Sequence, residues 1–185
     1  MDSLTQIVLG AAIGEACLGK KVGNKAPLWG AIAGTIPDLD IAISFFQGDF
    51  EYLISHRSFT HSLTFCVLIA PILGWIIHKL YKRKWGSWKD WTKLSFWSFL
   101  THTLLDCCTT WGTQLFYPFS DYRVALNNIF VADPLYTLPF LICVLTVLFI
   151  RRDNKWRSRI NWLGIGISSC YLLLSFVNKA TVNAV

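Results

Sequence analysis

Long apolar stretches separated by short polar breaks organise this chain. A helix that crosses a bilayer needs about 20 mostly apolar residues. Stretches over 27–46, 59–81, 94–116 and 133–150 meet or nearly meet that length, and 161–177 is slightly short. Residues 4–18 are too short and too polar for a span, since Gln6 and Glu15 interrupt them. That segment reads as an amphipathic or re-entrant helix capped by Ser3 or Asp2. The expected fold is therefore all-α: a polytopic membrane protein of about five transmembrane helices plus a short N-terminal helix. Residues 1–185 are expected to form one integral-membrane domain without internal repeats.

Composition agrees with the pattern. Of the 185 residues, 54% are hydrophobic and only 15% are charged, with a mean hydropathy of +0.44. A soluble domain carries roughly a quarter charged residues. Residues 1–5 lack a basic start, so no cleavable signal peptide is expected. The six cysteines (17, 66, 107, 108, 143 and 170) lie in apolar stretches and form no CxxC pair. They read as buried free thiols rather than disulfide partners or zinc thiolates.

The net charge of +6 would suggest nucleic acid only if its distribution were ignored. The cations fall into three clusters: Lys20, Lys21 and Lys25; Lys79, Lys82, Arg83, Lys84, Lys89 and Lys93; Arg151, Arg152, Lys155, Arg157 and Arg159. These lie in alternate connections, so they share one side of the membrane, and the positive-inside rule makes that side cytoplasmic. Topology accounts for the basic balance, and no nucleic-acid partner is expected. Trp85, Trp88, Trp91 and Trp97 flank the second cluster, as aromatic rings do at the headgroup level. Glu15 reads as a counter-charge to Lys20 or Lys21, and His78 as an interfacial residue.

Ionisable residues inside spans are costly and mark candidate sites. Asp38 and Asp40 lie in TIPDLD, His56 and His61 in HRSFTH, and His102 and Asp106 in THTLLDCC. His102 and Asp106 are four apart, so one helix face offers both to a common ion. Pro37 breaks the helix before Asp38, which membrane proteins tolerate where backbone lines a polar cavity. At ~1.5 Å per residue, Asp106 lies ~20 Å from Lys93, Asp38 ~20 Å from Lys25, and His61 ~27 Å from Lys79. In a core ~30 Å thick, all three reach the outer half. Asp and His ligands without thiolates suit zinc or a harder ion such as manganese, as one ion or two. Arg57 and Arg123, on the same side, suit a phosphate by bidentate hydrogen bonding. The pairs Gly10/Gly14 and Gly30/Gly34 read as close helix packing. Asp133 before Pro134 reads as a helix start, with catalysis as the alternative.

The stretches MDSLTQIVLGAAIGEA, GTIPDLD, HRSFTHS, THTLLDCCTTWGTQLFYPFSDYR and VADPLYTLP resemble the YdjM-like family of membrane-bound metal-dependent hydrolases. The resemblance runs from residue 1 to about 150 and more faintly to 179. It implies metal roles for Asp38, Asp40, His56, His61, His102 and Asp106. It implies supporting or substrate roles for Arg57, Thr60, Thr109, Gly112, Arg123 and Asp133. Many relatives carry a His, in a THxxxG pattern, where Gln6 stands here. Gln is a poor zinc ligand, so the first helix is expected to give a hydrogen bond or nothing to the metal. Larger relatives continue into a further domain, so the chain is expected to be a short or a truncated member.

Three functions compete. The first is metal-assisted hydrolysis of a phosphate or phosphodiester on a membrane lipid or lipid-linked substrate, in a bacterial cytoplasmic (inner) membrane with the site toward the outer face. The second is a divalent-cation binding or transport protein, and the third a non-catalytic scaffold. Transporters tend to show internal repeats with midplane sites, and neither is visible here. The first reading is therefore preferred.

Overall fold

The computed structural model describes residues 1–40 and 57–183. Among them are six α-helices: α1 (Ser3–Val22), α2 (Lys25–Thr35), α3 (Leu63–Leu80), α4 (Trp88–Cys107), α5 (Pro134–Phe149) and α6 (Lys155–Asn183). Two 3-10 turns, Pro37–Asp40 and Phe59–His61, follow α2 and precede α3.

α1 differs most from expectation. It starts where Asp2 accepts a hydrogen bond from the Thr5 amide, and it ends at Gly23, whose φ of +64° leaves helical geometry. It does not lie on a surface. Twelve of its 20 residues are buried, and it packs against α2, α4, α5 and α6. Small residues make this placement available. A methyl group added at Gly10 would strike the Gly30 carbonyl, and one at Gly34 would lie 2.6 Å from the Gln6 carbonyl oxygen. The two backbones touch through Gly10, Gly14, Gly30 and Gly34, which is the close approach that small residues permit between membrane helices.

α1 divides the apolar interior. On one side α3 and α4 bury Phe65, Cys66, Ile77, Trp91, Leu94 and Phe99. On the other, Val8, Leu9 and Ala12 meet Leu105, Tyr136 and Phe140. Glu15 pairs with Arg157, not with Lys20 or Lys21. The guanidinium donates from Nε to Oε1 and from Nη2 to Oε2, both at 2.7 Å, with each side chain only 3% exposed. Arg157 Nη1 also donates to Asn24 Oδ1 and to the Ile150 carbonyl. One cation from the third basic cluster thus becomes an internal bolt between α1 and α6.

Members of the three basic clusters meet at one end, in keeping with their alternate spacing. Lys21 pairs with Asp90, Lys25 stands 4.2 Å from the centre of the Trp85 ring, and Arg152 shares that ring at 5.9 Å. Asp90 also completes a capping box with Ser87 at the start of α4.

The described helices do not by themselves establish five spans. Among the described residues only α3 and α6 are both long and apolar enough to cross a membrane by length and composition, and α5 is apolar but has 16 residues. α4 has 20 residues but carries Lys, Asp and His among its apolar positions, and it stops at Cys107 instead of 116. There the Cys108 and Thr109 amides tighten onto the Leu105 and Asp106 carbonyls, and Gly112 (φ +66°) turns the chain away. α2 ends at Thr35, and positions 41–46 of the expected first span lie outside the described residues. Cys66, Cys107 and Cys108 are buried free thiols as expected, but Cys17 and Cys143 are half-buried and Cys170 is exposed.

Removing Glu15 leaves a buried guanidinium without its anion, which typically costs about 3–5 kcal/mol. Glu15→Ala is expected to lower the unfolding temperature in detergent clearly, and Glu15→Ala with Arg157→Met to recover much of the loss. Gly30→Val is expected to prevent α1 and α2 from closing, read as loss of the monodisperse folded peak on size exclusion.

Candidate metal centre

Three local devices bring the polar residues together. Pro37 follows α2 and opens the tight turn that presents Asp38 and Asp40. Ser62 caps α3 by accepting from the Phe65 amide at 3.1 Å, which sets His61 immediately before the cap, two positions before the helix. The i, i+4 spacing on α4 aims His102 and Asp106 from one face.

Asp38, His61, His102 and Asp106 converge, with one ligand atom from each lying within 4.8 Å of all the others. His61 Nε2 is 3.1 Å from His102 Nε2, 3.3 Å from Asp38 Oδ1 and 3.3 Å from Asp106 Oδ2. His102 Nε2 is 3.5 Å from Asp38 Oδ1 and 3.8 Å from Asp106 Oδ2. Four atoms around a zinc ion at 2.0–2.1 Å, arranged tetrahedrally, sit about 3.3–3.4 Å apart. The five separations above, 3.1–3.8 Å, scatter about that value.

Proton accounting strengthens the fit. Thr60 Oγ1 donates its single proton to Asp40 Oδ2 at 3.1 Å, so it accepts from His61 Nδ1 at 3.0 Å. His102 Nδ1 stands 2.7 Å from the Gly34 carbonyl, which can only accept. Both imidazoles therefore carry their proton on Nδ1, and in the neutral ring Nε2 offers a lone pair. Two lone pairs and two carboxylate oxygens face one another in a buried space. A positive charge between them turns mutual repulsion into coordination. Each histidine is also backed at its far nitrogen by an acceptor, the arrangement that orients metal-bound imidazoles.

The surroundings hold Asp106 from behind. Gln6 donates from Nε2 to Asp106 Oδ1 at 2.9 Å, and the Met1 amino group pairs with the same oxygen. Asp106 Oδ2 receives no hydrogen bond and faces the histidines. Gln6 Oε1 is likewise buried without a hydrogen-bond partner. Arg57 reaches in with Nε 3.6 Å from Asp106 Oδ2, while its Nη1 donates to Thr109 Oγ1 at 3.2 Å. Its φ of +61° is the left-handed region that side chains rarely adopt, and its amide donates to Asp40 Oδ2 at 3.2 Å. Backbone strain of this kind concentrates at functional sites.

The structure thus unites four of the six expected ligands. Asp40 stands one layer back, holding Thr60 and the Arg57 backbone. His56 lies outside the described residues. Arg123 is half-buried beside Val124, which bridges to Thr113 in the loop after α4. Asp133 caps α5 by accepting from the Leu135 and Tyr136 amides, and its other oxygen accepts from the Tyr171 hydroxyl at 2.8 Å. Its oxygens serve the helix start, and it is not one of the convergent four. The Gly34 carbonyl and the Met1 amino group escape sequence reasoning because main-chain groups have no side-chain signature.

These features define an all-helical membrane protein with a buried centre of two histidines and two aspartates able to hold a metal ion. The chain belongs to the YdjM inner membrane protein family, whose profile matches residues 1–182. It is 30% identical over 154 residues to the uncharacterized protein YfhP of Bacillus subtilis (strain 168), covering 78% of this chain and 45% of YfhP. It is 33% identical over 114 residues to the inner membrane protein YbcI of Escherichia coli (strain K12), covering 58% of this chain and 64% of YbcI. The matches thus cover less than two thirds of either relative's length. No solved structure matches the chain.

Elemental analysis of protein purified without chelator is expected to find about one equivalent of a divalent metal. His61→Ala and Asp106→Ala should lose it while remaining folded. Thr60→Val should keep the stoichiometry but weaken affinity by about 10- to 100-fold, because only the orientation of His61 is disturbed.

Proposed function

We propose that this protein is a metal-dependent hydrolase that cleaves a phosphate or phosphodiester on a membrane lipid or lipid-linked substrate. The observation that carries this reading is the convergence of four acceptor atoms at tetrahedral spacing beside the buried guanidinium of Arg57. Asp38, His61, His102 and Asp106 would hold the ion, with zinc the preferred identity and manganese the alternative. A divalent ion there would polarise a phosphoryl oxygen and lower the pKa of water.

The chain's own residues supply the rest. The Arg57 guanidinium binds the anionic oxygens of the substrate and neutralises charge as it develops. Thr109, which donates to the Asp106 carbonyl and accepts from Arg57, fixes the direction of that guanidinium. Asp40, through Thr60, keeps the proton of His61 on Nδ1. Asp38 is the most exposed of the four, with 17% of its side chain accessible, so substrate enters on its side. The centre lies toward the end opposite the basic clusters. With those clusters cytoplasmic, the chain crosses the inner membrane about five times and the centre opens toward the outer leaflet. A lipid headgroup and water are both within reach there.

The test is phosphate release from a panel of phospholipids and lipid-linked phosphates by the zinc- or manganese-loaded protein in nanodiscs. Arg57→Gln is expected to retain metal and lose about 100-fold or more in kcat, while Asp106→Ala loses both. A metal-loaded wild type that cleaves nothing in the panel would remove the hydrolase reading and leave a metal-binding protein.

A further inference from the structure

At the basic end, a cavity of about 420 Å³ opens between the α1–α2 junction and the α5–α6 junction. Arg151, Arg152 and Arg157 line it together with Gly23, Asn24 and Phe149. Arg157 is consumed by Glu15; Arg151 and Arg152 are exposed, and Arg152 Nε stands 3.6 Å from the exposed Asp153 carboxylate, which leaves two arginines to one anion at the rim. Lys25 adds a further cation nearby, because it shares the Trp85 ring with Arg152. The carbonyls at the end of α5 do not offset this charge. Leu148 O already accepts from Asn24 Nδ2, and Ile150 O from Arg157 Nη1. The cavity therefore presents donors and positive charge.

A second cavity, an apolar groove of about 450 Å³, runs between α1, α2 and α5. It shares Asn24 and Leu148 with the basic cavity, so the two lie side by side, with the Asn24–Leu148 hydrogen bond at their common edge. From that junction it passes Leu28, Ala31 and Leu145 and reaches Leu4. Along α5 from Leu148 to Leu141 it covers about 10 Å of helix. A cationic mouth beside an apolar furrow matches one ligand in polarity: a phosphate with a hydrocarbon chain attached. Basic pockets between membrane helices on the cytoplasmic side bind anionic lipid headgroups on this principle.

We propose that the junction of the basic cavity and the apolar groove binds one anionic glycerophospholipid of the cytoplasmic leaflet. Arg151 and Arg152 hold its phosphate, and one acyl chain lies along Leu28, Ala31 and Leu145. The phosphate end of this site lies at the opposite end of the helices from the metal centre, and the site does not depend on what that centre does.

Delipidated full-length protein in detergent is to be titrated with dioleoyl phosphatidylglycerol, with dioleoyl phosphatidylcholine and with sn-glycerol 3-phosphate, reading binding by native mass spectrometry and unfolding temperature. Phosphatidylglycerol is expected to bind one molecule per chain about tenfold more tightly than phosphatidylcholine and to raise the unfolding temperature. Arg151→Gln with Arg152→Gln should remove about tenfold of that affinity, since each interfacial cation contributes modestly. The lipid-free unfolding temperature should stay unchanged. Ala31→Leu and Leu145→Trp, tested separately, should weaken phosphatidylglycerol by filling the groove. Equal binding of the two phospholipids would overturn the proposal. So would glycerol phosphate binding as tightly as phosphatidylglycerol, which would mean an anion site without the groove.

Discussion

Two imidazole nitrogens 3.1 Å apart, each ring with a proton held on its far nitrogen, call for a positive charge between them, whether a shared proton or a metal ion. Much else in this molecule can be traced to that requirement. It demands fixed tautomers, so a main-chain carbonyl and a threonine hydroxyl stand behind the rings. It demands anions beside the histidines, so Asp38 and Asp106 approach from two different segments. The anions in turn have to be held in a low-dielectric interior, where an unsatisfied carboxylate is costly. Gln6 and the amino group of Met1 steady one face of Asp106, and Arg57 approaches the other.

The glycine contact between α1 and α2 serves the same end. Larger residues would push these helices apart, and both carry parts of the centre's backing: Gln6 on α1 and the Gly34 carbonyl on α2. Close packing is thus the means by which a polar interior is assembled from segments that are otherwise apolar. The Glu15–Arg157 pair does comparable work at the other end, where it fixes α6 against α1 by two charge-assisted bonds at 2.7 Å.

Much of this was legible in the sequence, for physical reasons. Charged residues in apolar stretches are rare, so Asp38, Asp40, His56, His61, His102 and Asp106 stood out, and the periodicity of a helix paired the last two; that Asp40 stands behind the convergent four was not visible. The small residues of α1 and α2 announced close approach. The alternation of cations placed three clusters at one end. What the sequence hid was partnership over long separations. Glu15 has lysines five and six positions away, yet its partner is 142 residues on. Helix ends were also hidden, because the apolar run continuing beyond Cys107 belongs to a loop, and hydropathy does not distinguish the two. The burial of α1 was missed for a related reason: its glycines, Gln6 and Glu15 lower its hydropathy, although each is satisfied by a neighbour inside the bundle.

All four convergent residues fall between positions 38 and 106, and α5 and α6 contribute none. Chains emerge from the ribosome in order, at roughly 5–20 residues per second, and their earlier parts fold first. The last donor, Asp106, therefore appears before the final two helices are synthesised. A nascent chain with its first four helices inserted already carries all four of these donors, and capturing an ion would lock α1 to α4 as a unit. The last helices would then dock onto a preassembled body instead of competing for the polar residues within it.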